Sequence, residues 1–315
     1  GNLGRGVETA IQKNPDLTLV GIFTRRAPET VSPCFTATQV FHMDSLTDFQ
    51  DKIDVLILCG GSKDDLPQQG PVLASQFNIV DSFDTHARIP EYYAAVDAPA
   101  TANNKTAMIS IGWDPGMFSI NRLFGEVLLP DGETYTFWGK GLSQGHSDAI
   151  RRVDGVKAGV QYTIPSNDAM DQVRSGTRPN LSTKEKHTRE CYVVLEEGAD
   201  AAVVEQRIVT MPDYFADYDT TVSFIDEATL AKDHQRMPHG FVIRSGNTSD
   251  AHKQVLEFSL KLESNPEFTA SILVAYARAT YRLNQMGQYG AKTAFDVAPG
   301  LLSMKSPEQL RKEIL

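Results

Sequence analysis

The sequence predicts an α/β protein, with a doubly wound parallel sheet first and a second, α+β domain with a largely antiparallel sheet after it. Three observations carry this. Compact apolar runs alternate with helical stretches up to about residue 112. A glycine turn at residues 1–4 leads straight into a helix. Beyond residue 113 the apolar pattern changes to strict alternation.

Each predicted element follows from composition and spacing. Residues 5–13 read as a short helix that ends at Asn14-Pro15. The runs LTLVGIF (17–23), DVLILC (54–59), NIVDSF (78–83) and TAMISIG (106–112) read as buried strands, being short, apolar and rich in β-branched residues. Helical segments fall around 67–76 and 90–103. Buried runs separated by helices form parallel sheets with crossover helices. In QVLEFSLKLE (254–263), Leu256, Phe258, Leu260 and Leu262 alternate with Glu257, Ser259, Lys261 and Glu263, which gives a strand with one wet face. QYTIP, RECYVVLE and TTVSFID are expected as its neighbours, and residues 199–211 as a helix packed on it. Residues 268–286 form a long, alanine-rich helix. The expected domains are 1–113, with 266–315 returning to it, and 114–265.

The charge balance narrows the class. A formal net charge of -10 argues against a general nucleic-acid binder, and no apolar run approaches the length of a membrane span. Cys34, Cys59 and Cys191 lack metal-ligand spacing, and so sparse a set suggests reduced thiols in a cytoplasm. No metal is expected.

The opening GNLGRG raises the question of a cofactor. Gly1, Asn2, Leu3 and Gly4 suit the second half of a dinucleotide-binding turn, in which glycines let the backbone approach a pyrophosphate at a helix N-terminus. They also suit a simple tail. In the first reading, the initial glycine and its strand lie before residue 1, and residues preceding Gly1 are expected in the functional protein. About twenty residues after such a turn, a strand should end in the residue that reads the adenosine ribose. Here the strand ends in Thr24-Arg25-Arg26. A hydroxyl and two guanidiniums suit a ribose 2′-phosphate, hence NADP; the alternative is a solvated arginine pair. Three further stretches belong to the same rim: Cys59-Gly60-Gly61-Ser62, Ser82-Phe83-Asp84, and Ile111-Gly112-Trp113-Asp114-Pro115. Asp84 and Asp114 are two carboxylates near one crevice, or else helix caps and turn formers.

GNLGRG, GIFTRRA, GWDPGMFSINR, TFWGKGLSQGHSDAIRR, TMPDYF and MPHG together resemble the meso-diaminopimelate dehydrogenase family, over essentially the whole chain. The resemblance implies a Rossmann-type domain, a substrate and dimerisation domain, and a homodimer. It also implies NADP-dependent oxidative deamination of the D-centre of meso-2,6-diaminopimelate to L-2-amino-6-oxopimelate and ammonia. In reverse, that reaction serves lysine and peptidoglycan synthesis.

By resemblance, Asp84 and Asp114 lie around the reacting centre, with neither assigned as base, and His146 is a weaker candidate. Trp113 and Trp138 wall a pocket or pack a core. Gln144 and Gly145 belong to a substrate-contacting loop, and Asp148 is a substrate contact or a helix-start carboxylate. Thr163, Arg189 and His239 match anchors for the distal, L-configured end. Asn265 matches another substrate position and also suits the N-cap of the long helix before Pro266. The rivals are an NADP oxidoreductase of the same plan acting on a sugar or another amino acid, and a non-catalytic NADP sensor.

Overall fold

The computed structural model describes residues 1–142, 144–234 and 239–315, with the backbone alone for Leu142, Gln144 and Gly145. The chain divides into two compact units, Gly1–Ile120 with Pro266–Leu315, and Asn121–Asn265.

The first unit opens on helix α1 (Asn2–Gln12), followed by β1 (Ile22–Thr24), β2 (Val40–His42) and β3 (Leu56–Leu58). Next come α2 (Leu66–Ala74), β4 (Ile79–Asp81), α3 (Ile89–Ala102) and β5 (Thr106–Met108). Helix α4 (Met117–Leu128) spans the division between the units.

The second unit contains two sheets. Its elements are β6 (Gly132–Gly139), β7 (Gly141–Leu142), α5 (Gln144–Arg151), β8 (Val156–Pro165), α6 (Asn167–Arg174) and α7 (Thr183–Lys186). They continue with β9 (His187–Leu195), α8 (Ala201–Val209), β10 (Asp219–Phe224), α9 (Glu227–Asp233), β11 (His239–Ser249) and β12 (His252–Lys261). The chain then returns to the first unit through α10 (Asn265–Gln285), β13 (Gly290–Lys292) and α11 (Pro307–Glu313).

In the first unit, β13-β5-β4-β3 form a four-stranded parallel sheet. Alternate residues face opposite ways, so each strand serves two cores. Val80 and Met108 pack with Val7, Ala10 and Ile11 of α1 and with Ala270, Leu273, Val274 and Ala277 of α10. Ile79 and Ala107 pack with Leu66 and Leu73 of α2 and Tyr92 and Val96 of α3. Both faces are thus covered, which is why these strands read as unbroken apolar runs.

Several sequence expectations change. The run LTLVGIF is not a buried strand over 17–23; only Ile22–Thr24 is strand, and residues 17–24 are half-buried or exposed. β1 pairs in parallel with β2, which the sequence reading missed, and this pair forms its own sheet. A cavity of ≈ 1140 Å³ is lined by Leu17–Phe23 on one side and Val55–Leu58 on the other, with Ile11 and Ala277 among the remainder. The predicted helix 5–13 starts earlier, at Asn2.

The strand at 254–263 has different neighbours from those expected. β12 pairs with β11, and β11 with β6, all antiparallel. QYTIP, RECYVVLE and TTVSFID belong to the other sheet, β10-β9-β8-β7, in which β10 and β9 run parallel. Helix α8 also packs there, with Val204 and Ile208 beside Cys191, Val193 and Phe215. β12 is an edge strand, so only part of its apolar face is covered: Leu260 and Leu262 are buried, whereas Leu256 is 40% exposed. Alternation marks a strand but does not identify its partner.

The returning segment is fastened by Arg278. This α10 guanidinium is buried, binds Asp16 at 2.5 and 2.7 Å and Asn14 at 2.7 Å, and donates to the Leu302 carbonyl at 2.9 Å. Arg278 therefore holds the Asp16 carboxyl below its ordinary value of 3.8. Because the folded value is depressed, the stabilisation is complete above the unfolded value and is lost as pH falls through the folded one. Asp16→Asn is expected to lower Tm at neutral pH, and the gap to the parent should close as the solution is acidified below 3.8. Thermal unfolding at stepped pH measures this; a constant gap would contradict it.

Candidate active site

The nucleotide end is built from backbone. Helix α1 has Gly1 as its N-cap with no side-chain cap, so its first-turn N–H groups are left for a ligand. A Cβ at Gly4 would meet only the Cys59 Cβ, at 3.9 Å. This is an open cradle at the N-terminus of an 11-residue helix, and it fits a phosphate. Asn2 and Leu3 form its first turn.

Thr24, Arg25 and Arg26 sit at the end of β1. The Arg26 N–H donates to Thr24 Oγ1 at 3.2 Å, which turns the chain at this point. Arg25 pairs with Asp65 at 2.6 Å, and the other Asp65 oxygen accepts the Gly61 N–H at 2.8 Å. Asp65, which the sequence reading did not single out, thus links the arginine strand end to the Cys59–Ser62 turn. Its only sequence signal was its place just before α2.

The second and third rim segments converge. Ser62 Oγ accepts the Asp84 N–H at 2.8 Å, joining the turn after β3 to the turn after β4. Phe83 is buried and stacks on Tyr92 at 4.2 Å. The Ile111 N–H donates to the Asp81 carbonyl at 2.9 Å, so the segment after β5 runs beside the one after β4. Gly112 bridges to Gly116, and Trp113-Asp114-Pro115 form the turn between them. Gly116 has φ +123°, and a Cβ there would collide with the Gly112 backbone, so only glycine closes this turn. Trp113 packs edge-on against Phe118 at 5.3 Å. Asp84 and Asp114 are therefore both carried on rim turns of the same unit.

The second unit offers side chains instead. Thr163 of β8 and Arg189 of β9 are direct cross-strand partners, and Thr220 of β10 lies on the other side of Arg189. Arg189 is 5% exposed. Its guanidinium lies 3.8 Å over the Tyr218 ring, and Nη1 donates to Thr163 Oγ1. No carboxylate pairs with Arg189 among the described residues, and its Nε has no partner. Gln161 Nε2 donates to Thr163 Oγ1 at 3.2 Å, whereas Gln161 Oε1 and Thr220 Oγ1 are buried without partners. Burial pulls the Arg189 pKa down. An unpaired buried cation beside unsatisfied polar atoms is a site prepared for a small anion.

The neighbouring histidines are neutral. His146 lies on α5 with its ring edge-on to Tyr214 and Phe215, and burial, then the Arg189 charge, pushes it down to about 4. His187, absent from the sequence reading, is pushed down to about 3 by burial, then by Arg189 and Lys186. Its Nε2 accepts the Trp138 N–H at 2.9 Å. Tyr218, Gln161 and Thr220 were also missed. Only Gln161 carried a signal, the i, i+2 spacing that puts it on the Thr163 face.

The remaining candidates are more scattered. His239 starts β11 in the other sheet, and its Nδ1 accepts the Leu262 N–H at 3.1 Å. Asp148 pairs with Arg151 along α5. Asn265 is the first residue of α10, with Pro266 following. Gln144 and Gly145 begin α5; the Gln144 side chain, Ser143 of the same loop, and Met237 and Pro238 of MPHG lie outside the described residues. No cluster of metal-ligating side chains occurs among the described residues.

Open backbone donors for a dinucleotide in one unit and a buried cation for a small acid in the other define a nucleotide-dependent dehydrogenase. A meso-diaminopimelate D-dehydrogenase of Ureibacillus thermosphaericus is 65% identical to the chain over 316 residues, covering 100% of it and 97% of the relative. The chain belongs to the meso-diaminopimelate D-dehydrogenase family. A family model described as diaminopimelic acid dehydrogenase C-terminal domain matches residues 112–264. Among solved structures, the C. glutamicum DAP dehydrogenase in complex with DAP is similar at 46% identity and TM-score 0.92, over 100% of this chain and 97% of that one. An engineered D-amino acid dehydrogenase bound to NADP+ is similar at 45% identity and TM-score 0.85, with the same coverage.

The His146 environment can be checked directly. A lowered pKa means the folded state takes up the proton less readily than the unfolded chain, so protonation on acidification works against the fold. In an NMR titration, the His146 ring is expected to stay neutral through its ordinary 6.5 and to titrate near 4. A midpoint at 6.5 would contradict this burial.

Proposed function

We propose that the protein is an NADP-dependent dehydrogenase that oxidatively deaminates the D-centre of meso-2,6-diaminopimelate to L-2-amino-6-oxopimelate and ammonia, reversibly. One observation carries the substrate class: Arg189 is buried without a carboxylate partner among the described residues. A substrate carboxylate supplies the missing charge, with Thr163 as the adjoining hydroxyl. His239 and Asn265 are proposed as further anchors of the same distal end. Trp138, Gln144, Gly145 and Asp148 are assigned to substrate recognition by family resemblance.

The cofactor residues have separate tasks. The α1 N-terminus with Gly1 and Gly4 holds the pyrophosphate, and Thr24, Arg25 and Arg26 hold the 2′-phosphate. The segments 59–62, 82–84 and 111–115 line the rest of the dinucleotide. When bound, NADP+ accepts the hydride. Asp84 and Asp114 are proposed to hold the substrate ammonium and to relay its proton, neither being assigned as the base, since the amine must be neutral before hydride leaves. His146 is the weaker candidate for that proton, because a group titrating near 4 is a poor base at neutral pH.

We also propose a homodimer. Helix α4 packs Gly125 against Arg244 of β11, while Leu123, Phe124 and Val127, turned away from Gly125, are 39%, 50% and 62% exposed, and Leu128 beside them is 62% exposed. An apolar helix face of this kind fits a second copy of the chain. The setting proposed is cytoplasmic lysine and peptidoglycan precursor metabolism. Free thiols at Cys34, Cys59 and Cys191 support the compartment.

Turnover decides the substrate. Mixed with NADP+, the protein should form reduced cofactor with meso- but not LL-diaminopimelate; silence with the meso isomer would refute the assignment. Arg189→Met should lower kcat/KM for diaminopimelate by about 100-fold or more while changing the NADP+ KM by less than about threefold. Equal losses in both would remove Arg189 from the substrate site. Phe124→Asp with Val127→Asp should shift the sedimentation mass from dimer to monomer, and a parent that sediments as a monomer would remove the dimer.

A further inference from the structure

Asp81 ends β4 and is fully buried. Its Oδ1 accepts two backbone N–H groups, from Phe83 at 3.0 Å and from Ser110 at 3.1 Å. Its Oδ2 accepts the Tyr92 hydroxyl at 2.7 Å. Its own carbonyl accepts the Ile111 N–H at 2.9 Å. One residue thus grips both rim segments, immediately before Asp84 on one and a few residues before Asp114 on the other.

Two details show that the grip works against resistance and is itself braced. Ser110 has φ 58°, a left-handed conformation that non-glycine residues rarely hold without support, and Asp81 binds its N–H. Tyr92 stacks on Phe83 and lies over α2, where a side chain at Gly70 would collide with its hydroxyl. Gly70 therefore keeps the tyrosine seated, the tyrosine fixes Oδ2, and Oδ1 is left aimed at the two N–H groups. Burial raises the Asp81 pKa to about 6 against the pull of these hydrogen bonds, so the carboxylate is retained at an electrostatic cost.

We propose that Asp81 is a positioning residue for the reaction, holding the turns that carry Asp84 and Asp114 in one fixed relation. The proposal rests on the placement of those aspartates at the reacting centre. Asp81 touches neither substrate nor cofactor in this role; it acts through the backbone of Phe83, Ser110 and Ile111. The 2′-phosphate residues at the end of β1 belong to a different sheet, so their binding should be nearly independent of it.

The test uses the full chain with NADP+ and meso-diaminopimelate, comparing Asp81→Ala, Asp81→Asn and Tyr92→Phe. Asparagine keeps an Oδ1 that accepts both N–H groups and can offer its amide to the Tyr92 oxygen, so kcat should stay within about threefold of the parent. Alanine leaves both N–H groups unpartnered, and kcat should fall about 30-fold or more, well beyond any rise in the NADP+ KM from the loosened 82–84 and 111–115 segments. Tyr92→Phe only loosens Oδ2 and should lower kcat by about three- to tenfold.

If Asp81→Ala does not fold, the decision rests on the other two variants: an unchanged kcat in Tyr92→Phe overturns the proposal. So does an Asp81→Asn enzyme as slow as Tyr92→Phe or slower. A folded Asp81→Ala enzyme with parental kcat and only a lower Tm also overturns it, because that is a purely structural role. A parent protein silent on meso-diaminopimelate fails the functional reading itself and takes this proposal with it. An active parent with unaffected variants fails the proposal alone.

Discussion

A guanidinium held out of water without a counter-ion among the described residues governs the second unit. Leaving a charge buried and unpaired costs several kcal/mol, on the order of what a domain's whole stability can spare. The fold tolerates Arg189 through partial measures: an aromatic face under it, one threonine hydroxyl beside it, and β8 and β10 on its flanks. The same charge helps push His146 and His187 toward their neutral forms. Two rings that would carry positive charge in acid thus stay neutral beside the arginine. In the proposed role, a carboxylate bound at Arg189 would relieve a penalty that folding left standing, so its affinity would draw on a strain already present. A pocket with a matched ion pair would have nothing comparable to give.

The first unit solves a different problem by different means. A dinucleotide carries its charge on phosphates, and the proposed site would meet it with backbone N–H groups at a helix start and with exposed arginines at a strand end. Neither demands a buried charge. What this unit must supply is accuracy at the rim, where three strands end and three turns begin. Side-chain acceptors do this work: half-buried Ser62 Oγ for Asp84, and buried Asp81 for Phe83 and Ser110. Backbone groups leaving a sheet need partners, and here the partners belong to neighbouring strand ends. The turns are cross-tied to one another as well as anchored singly.

Much of this was legible in the sequence, for identifiable reasons. Buried parallel strands announce themselves as apolar runs, and β3, β4 and β5 fell inside the predicted runs. The run at 17–23 misled because composition reports hydrophobicity, whereas strand assignment needs a hydrogen-bonded neighbour; only Ile22–Thr24 has one in β2. Pairing within the second unit was misjudged for the same reason. Alternation in β12 was visible, but nothing in it distinguished β11 from β8 or β9. Thr163 and Arg189 were named only through family resemblance, and the residues that complete their surroundings were not. Tyr218 lies just before the expected strand TTVSFID and Thr220 opens it, and their place beside Arg189 becomes meaningful only when β10 is laid beside β9. Asp81 and Asp65 were invisible because a carboxylate at a strand end or helix start has a commonplace local role. Their cross-ties connect turns remote in sequence.

The discontinuity of the first unit has a consequence for biosynthesis. Edge strand β13 pairs with β5, although about 180 residues separate them, and Arg278 closes on Asn14 and Asp16 from the far end of the chain. A ribosome delivers Asn121–Asn265 before it delivers α10. The second unit therefore has all its strands while the first unit still lacks a helix of its core and an edge of its sheet. During that interval β5 presents an unpaired edge, and the α1 face presents uncovered apolar side chains, both invitations to wrong partners. Emergence of the last fifty residues ends this exposure, which makes the C-terminal segment a closing latch for the domain made first.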